Sequence, residues 1–364
     1  MSKWKTYRLG DIIQLKSGGT PDKSNPDYWG GSIPWISAKS MYDDFISTSD
    51  LFITEEGLQA GSKIAKKDSI LLLTRGSGLF NRIPVCYVVS DVAYNQDVKN
   101  IVLKQEDVTG IKFLYYWLYG NKELLSSMLE TTGIGAGKID TKRFLNLSIS
   151  LPSQKEQARY IHLMDLLFDK IELNRRINAN LEAQAQALFI NISRTCPTQK
   201  GILKDLIEIK YGKDHKKLNV GNIPVYGSGG IMRYVDTFIY EKETVLIPRK
   251  GSLNNVIYLN TPFWSVDTMF YSVMKYDHIA KYVYFFLKSK DLSAMNAGSA
   301  VPSMTTDILY QMEINIPDKT VFETYDTIVS PLFKQIQVNQ EENQSLSALR
   351  DTLLPKLMAE NSVA

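Results

Sequence analysis

The sequence predicts an α/β protein made by tandem duplication. An α/β unit followed by a long helix occurs twice, and the two helices pair as an antiparallel coiled coil with pseudo-two-fold symmetry. Three observations predict this. Punctuated motifs recur in the same order in both halves. Each half passes from short apolar segments to a helical stretch. Both long helical stretches carry an apolar seam broken by asparagines at matching places.

The repeat is read first because it governs everything after it. Leu9-x-Asp11-Ile12-Ile13-x-Leu15-Lys16-x-Gly18 returns as Leu203-x-Asp205-Leu206-Ile207-x-Ile209-Lys210-x-Gly212. Ser32-Ile33-Pro34 returns as Asn222-Ile223-Pro224, and SILLLTRGS (Ser69–Ser77) returns as TVLIPRKGS (Thr244–Ser252). Lys112-Phe113-Leu114-Tyr115 returns as Lys281-Tyr282-Val283-Tyr284, and Leu151-Pro152 returns as Ile316-Pro317. The spacing shrinks from 194 residues at Leu9/Leu203 to 165 at Gly133/Gly298, so the second copy has shorter loops.

Within each copy, strands are expected at Ile70–Leu73, Val85–Val89 and Val98–Leu103, and again at Val245–Ile247 and Val256–Leu259. Helices are expected near Ile111–Tyr119 and Ile279–Leu287. The resulting divisions are residues 1–152 and 197–317 for the two α/β units, and 153–196 and 318–364 for the two helices.

The helical seams follow a 3-4 spacing. Tyr160, Met164, Leu167, Ile171, Asn174, Asn178, Leu181, Ala185, Leu188 and Ile192 form one stripe. Tyr325, Val329, Leu332, Ile336, Asn339, Asn343, Leu346, Arg350, Leu353 and Leu357 form the other. A buried unpaired amide costs about 1–3 kcal/mol, so the asparagines need partners. Antiparallel pairing sets Asn174 opposite Asn343 and Asn178 opposite Asn339, so that the amides fix the register; a parallel pair would also match the amides, and only topology separates the two. The rival arrangement packs each helix on its own unit and leaves the asparagines half-exposed. Arg350 opposite Leu167 is a defect unless its charge snorkels outward. Pro331 should start or kink the second helix rather than lie inside it.

Composition narrows the functions. The 364 residues are 44% hydrophobic and 22% charged, with a net charge of only +3. Any nucleic-acid surface must therefore come from local clustering of Lys and Arg. Cys86 and Cys196 build neither a disulfide framework nor a zinc site, and His162, His215 and His278 are scattered. The start MSKWKTYRLGD has no apolar signal core, and no apolar run approaches 18 residues. A cytoplasmic chain with no membrane association is expected.

No catalytic constellation emerges. Asn260-Thr261-Pro262-Phe263 approaches the Pro-Pro-aromatic turn with which adenine methyltransferases stack a flipped base, but Thr261 breaks it. GIGAGKID (Gly133–Asp140) is one residue short of a phosphate loop, has Ile139 where Ser or Thr belongs, and its copy GSAVPSMT (Gly298–Thr305) lacks the glycines. Glu208-x-Lys210 sits in a strand repeated as Gln14-x-Lys16, so it reads as an amphipathic strand.

SGGTPDKSNPDYWGGSIPW (Ser17–Trp35), Leu151-Pro152 with Glu156-Gln157, PRKGSLNNV (Pro248–Val256) and WSVDTMFY (Trp264–Tyr271) resemble motifs of the specificity subunits of type I restriction–modification systems. The resemblance covers essentially the whole chain. Pro317-Asp-Lys-Thr-Val-Phe departs from it by lacking the Glu-Gln pair. The resemblance implies two target-recognition domains, each reading one half of a split site in double-stranded DNA. It also implies helices that set the spacer and dock two methylation subunits, with restriction/translocase subunits in the same complex. No cofactor is implied on this chain; S-adenosylmethionine, ATP and Mg belong to the partners. Each stripe is about 48 Å long at 1.5 Å per residue, longer than one turn of duplex DNA, about 34 Å.

DNA contacts are then expected in loops. Base edges want Arg, Lys, Asn and Gln; phosphates want Lys, Arg, small hydroxyls and free backbone amides. The first unit offers Ser37, Lys39, Arg75, Ser77, Asn81, Arg82, Asn95, Gln96 and Lys138. The second offers Ser228, Arg249, Lys250, Ser252, Asn254 and Asn255, with a basic run at Lys213, His215, Lys216 and Lys217. The rival functions are a single-chain enzyme that methylates or cuts DNA, and a scaffold with two protein-binding modules.

Overall fold

In the computed structural model, which describes residues 4–133, 135–295 and 302–358, the chain divides within both long helices. One unit comprises Met1–Leu173 with Glu342–Ala364, and the other comprises Asn174–Glu341. Each therefore holds one α/β lobe, part of the first long helix (Gln154–Thr195) and part of the second (Lys319–Leu357).

Lobe 1 is built on a five-stranded sheet in the order Ile13–Ser17, Val98–Leu103, Ile70–Leu73, Val85–Val88, Phe45–Ile46. Ile70, Leu71, Leu72 and Val88 are fully buried, which is why these central strands read as unbroken apolar runs. The helix Ile111–Gly120 supplies Phe113, Leu114, Tyr115 and Tyr116 to the same core. Each such buried side chain contributes roughly 1.5–3 kcal/mol. A second sheet orders Phe52–Ile53, Trp29–Ile36, Val92–Tyr94 and Lys63–Ala65 around Trp35 and Ile53.

Lobe 2 repeats the plan with less sheet. Ile207–Tyr211, Met269–Met274, Thr244–Pro248 and Ile257–Leu259 form its main sheet. Gly230–Val235, Ile223–Gly227 and Trp264–Ser265 form the smaller one. Both lobes close on themselves in the same way. Lys5–Arg8 pairs antiparallel with Ser148–Leu151, and Thr198–Ile202 pairs antiparallel with Glu313–Pro317. The duplicated glycine is also explained. A Cβ on Gly18 would lie 2.1 Å from the Tyr94 carbonyl oxygen, and one on Gly212 would lie 2.0 Å from that of Val266. Only glycine permits that approach at the end of the first sheet strand.

The long helices pair antiparallel in both units. In lobe 1's unit, Asn343 Nδ2 donates to the Ile171 carbonyl at 3.3 Å, and Lys170 Nζ lies 3.0 Å from Glu342. In lobe 2's unit, Asn339 Nδ2 donates to Asn178 Oδ1 at 2.7 Å, and Asn178 Nδ2 to the Ile336 carbonyl at 3.3 Å. Tyr325 Oη donates to the Ala185 carbonyl at 3.2 Å. Partners thus descend along one helix as they ascend the other. The seam amides bond backbone carbonyls as well as each other, which satisfies them more fully than side-chain pairing alone. Asn174 is buried.

Two expectations about the seam are corrected. Arg350 does not snorkel: it is 9% exposed, with its guanidinium 5.1 Å from the ring centroids of both Tyr119 and Phe168. Asp351 at 2.8 Å and Asp44 at 3.8 Å balance its charge. Pro331 does not start the second helix, which begins at Lys319 and runs through it. A tertiary face covered by Phe322, Tyr325, Val329 and Phe333 outweighs one missing backbone donor.

Candidate nucleic-acid interface

The core strand Ile70–Leu73 leaves its sheet at Thr74, whose Oγ1 donates to the Asp97 carbonyl at 2.9 Å. The chain then forms the short strand Arg75–Gly76, paired antiparallel with Gly137–Ile139. That register sets Arg75 beside Lys138, both exposed. Gly133–Asp140 is therefore a strand-forming hairpin arm where described, with Ile134 outside the described residues. A third cation joins them. Lys99 Nζ donates to Ser17 Oγ at 2.6 Å and to the Gln96 carbonyl at 3.2 Å. Burial holds its pKa below the usual lysine range; Asp97 opposes that shift and the Arg75 charge adds to it. Lys99 escaped the sequence reading because it lies inside an apolar strand rather than a loop. Its signal was a lysine two residues past the polar AYNQD turn.

The other lobe 1 candidates divide. Ser77 and Asn81 are exposed at the two ends of the short 3-10 turn Ser77–Phe80. Gln96 is exposed and accepts from Thr20 Oγ1 at 2.6 Å. Lys39 is exposed, while Ser37 caps the turn Ala38–Ser40 by accepting from the Lys39 amide at 3.3 Å. Arg82 is committed to the 42–44 loop, donating to the Tyr42 carbonyl at 2.9 Å. Asn95 leaves the set of readers. It is 7% exposed, and its Oδ1 accepts from the amides of Asp97 and Val98 at 3.1 Å each. That is the turn-stabilising use of asparagine.

Lobe 2 repeats the central pairing. Lys250 stands where Arg75 does in the repeat and bridges antiparallel to Ser303, which stands where Lys138 does. Gly251 follows at φ +83°, a conformation that favours glycine, and its backbone crowds Ser228. Asn255 Nδ2 donates to the Ser228 carbonyl at 2.9 Å, tying these two candidate loops together. Asn254 is spent on Asp291 and Ser293. Lys250 and Ser252 are exposed, and Arg249 donates to the Asp267 carbonyl at 3.2 Å. Beside this patch lies a cleft of about 770 Å³, lined by Asp214, His215, Lys216, Ser228 and Asp267 among others. The basic run starts in a turn that Asp214 caps by accepting from the Lys216 amide at 3.0 Å. Gly298 to Val301, part of the second glycine-poor loop, lie outside the described residues.

The chemical motifs weighed in sequence take structural roles. Phe263 is fully buried among Tyr226, Tyr240 and Tyr271, where no flipped base reaches it. Glu208 and Lys210 form an exposed ion pair on one strand face. Glu156 and Gln157 anchor the first long helix. Ser153 and Glu156 form a reciprocal cap, with Ser153 Oγ donating to Glu156 Oε2 at 2.6 Å. Gln157, 3% exposed, donates to the Val108 and Pro152 carbonyls at 3.1 Å and accepts from Thr109 Oγ1 at 2.9 Å. Cys86 and Cys196 are both free thiols, and burial pushes that of Cys86 up to about 12. Among the described residues, no group of three or more His, Cys, Asp or Glu side chains is placed to hold a metal, and no helix is long and apolar enough to cross a membrane.

Both lobes thus present exposed polar loops around the same strand pairing. The model of the family "Type I restriction modification DNA specificity domain" matches residues 1–183 and 198–348, and the chain belongs to that family. Among curated relatives, the type I restriction enzyme EcoR124I/EcoR124II specificity subunit of Escherichia coli is 32% identical over 165 residues, 45% of this chain and 40% of the relative. The MjaIX specificity subunit of Methanocaldococcus jannaschii is 23% identical over 409 aligned residues, covering 98% of this chain and 92% of the relative. The crystal structure of the type I restriction–modification S subunit from M. genitalium shares the fold, with a TM-score of 0.57 and 19% identity, covering 98% of this chain and 96% of that one.

Proposed function

We propose that this chain reads a two-part, asymmetric site in double-stranded DNA for a type I restriction–modification complex. Residues 1–152 and 197–317 serve as target-recognition domains, and residues 153–196 and 318–364 serve as spacer helices. Two methylation subunits and the restriction/translocase subunits supply the chemistry, with S-adenosylmethionine, ATP and Mg bound there and none on this chain. The complex acts in the cytoplasm, where its DNA lies.

The observation that carries this reading is the repeated strand pairing, Arg75 with Lys138 and Lys250 with Ser303. Duplication held this backbone geometry at an exposed polar edge while changing the side chains, as two readers of different sequences require. Arg75, Lys138, Lys250, Ser77, Ser252, Asn81, Gln96 and Lys39 are the exposed contact set, with Ser37, Ser228, Arg82, Asn254 and Asn255 supporting their loops.

The test is binding of the purified chain, with its methylation partner where needed for solubility, to a randomised duplex pool at several salt concentrations. Affinity should be salt-sensitive and select two separated base blocks. A chain that selects no sequence, or transfers a methyl group unaided, would refute the reading. Methylome mapping of the host with and without the gene reports both blocks and the gap.

A further inference from the structure

The strand Ile207–Tyr211 ends on a tyrosine that is 52% exposed. Its ring meets buried Phe270 edge-on, with centroids 5.0 Å apart and planes at 78°. The Arg249 guanidinium lies 5.3 Å from the Tyr211 ring centroid. One guanidinium nitrogen donates to the Asp267 carbonyl at 3.2 Å. The Arg249 backbone is fixed as well: its amide donates to the Thr268 carbonyl at 2.8 Å, and its carbonyl accepts from the Met304 amide at 2.8 Å.

Both ends of this side chain are therefore set before any ligand arrives, which lowers the entropy lost on binding. A phosphate accepts a guanidinium fork too, but a lysine's point charge serves it as well. A planar fork pre-set against a ring suits a flat edge with two acceptors, and O6 and N7 of guanine are such an edge in the major groove. Lobe 1 has no equivalent. By strand register, Ser17 stands where Tyr211 does and Lys99 where Phe270 does, while Thr74 occupies the repeat position of Arg249.

We propose that Arg249 reads one guanine in the half-site of lobe 2, and that Tyr211 is its positioning residue. This rests on the DNA-reading function proposed above. The full chain should be profiled on a randomised duplex pool and titrated at several salt concentrations. Arg249→Lys keeps the charge and removes the fork, so preference for guanine at one position should fall about tenfold to hundredfold. The lobe 1 half-site should not change. Tyr211→Leu should reduce preference at that same position by a smaller factor, and Tyr211→Phe, which keeps the ring, should restore the wild-type profile.

An unchanged base profile in Arg249→Lys, with Arg249→Gln weakening all duplexes equally, would mark a phosphate anchor and overturn this inference alone. A Tyr211→Leu profile altered across the whole half-site would overturn the positioning role. A wild-type chain without sequence preference would overturn the DNA-reading function, and this inference with it.

Discussion

Lys112 and Lys281 occupy the same place in the two copies, yet their surroundings differ. Lys112 is 33% exposed and, among the described residues, has one ion pair, with Asp165 at 2.9 Å, beside the Tyr87 ring. Lys281 is 4% exposed and pairs with Glu243 at 2.6 Å and Asp326 at 2.8 Å, against the rings of Tyr258 and Phe333. Both of these pairs set a lobe cation against a helix anion, but a second lobe–helix contact differs in sign. In lobe 1's unit the helix supplies the cation, Arg350, and the lobe supplies Asp44. In lobe 2's unit the helix supplies the anion, Glu182, and the lobe supplies Lys288 and Tyr284. Backbone pairing is indifferent to side-chain charge, so duplication preserves the ladders and lets polar chemistry drift.

The buried lysine gives the largest expected effect. Lys281→Ala leaves two carboxylates without their shared cation and should cost about 3–5 kcal/mol. Lys112→Ala, nearer to solvent, should cost about 1 kcal/mol or less. Urea unfolding of both variants measures the gap, and equal losses would erase this distinction between the lobes.

The seam comes next. Asn339→Ala leaves the Asn178 Oδ1 acceptor without its donor and should cost about 1–3 kcal/mol. Replacing Asn178 and Asn339 together by Leu should be near neutral in thermal unfolding, because the Gln335 amide, which loses its Asn339 partner, is exposed to water. A double variant worse than the single one would mean that these amides do more than satisfy each other.

In lobe 1, Lys99→Gln should weaken all duplexes by a similar factor. It should also make the plot of log affinity against log salt shallower by about 1. A base-specific change there would erase the contrast with Arg249.

The smallest effect is a pH dependence. His278 Nδ1 lies 2.8 Å from Asp326 Oδ2, and that hydrogen bond raises the histidine pKa above its ordinary 6.5. Its contribution is complete below about pH 6.5 and is lost as pH rises through the higher folded value. His278 is 45% exposed, so screening keeps the contribution below about 1 kcal/mol. His278 sits at φ 67°, where asparagine is tolerated, so His278→Asn should remove its pH slope in melting temperature above about pH 6.5 without straining the turn.

Much of the fold was legible. Apolar runs such as Ile70–Leu73 and Val98–Leu103 located strands because central strands bury both faces. The 3-4 spacing with asparagines located the helix pairing because amides inside a seam demand partners. The site was legible only as loops. Arg75 and Lys250 were found through the repeat, whereas Lys99 and Tyr211 were hidden inside strand patterns.

The amino-acid order alone determined the duplication, the helical seam and the departure from catalytic motifs, because these rest on local periodicity and on residue types at short range. Tertiary structure decided which side chains are spent and which are presented. It drew Arg350 into an aromatic socket and set Arg249 against Tyr211. Those outcomes depend on contacts between residues far apart in the chain, and composition and spacing carry no record of them.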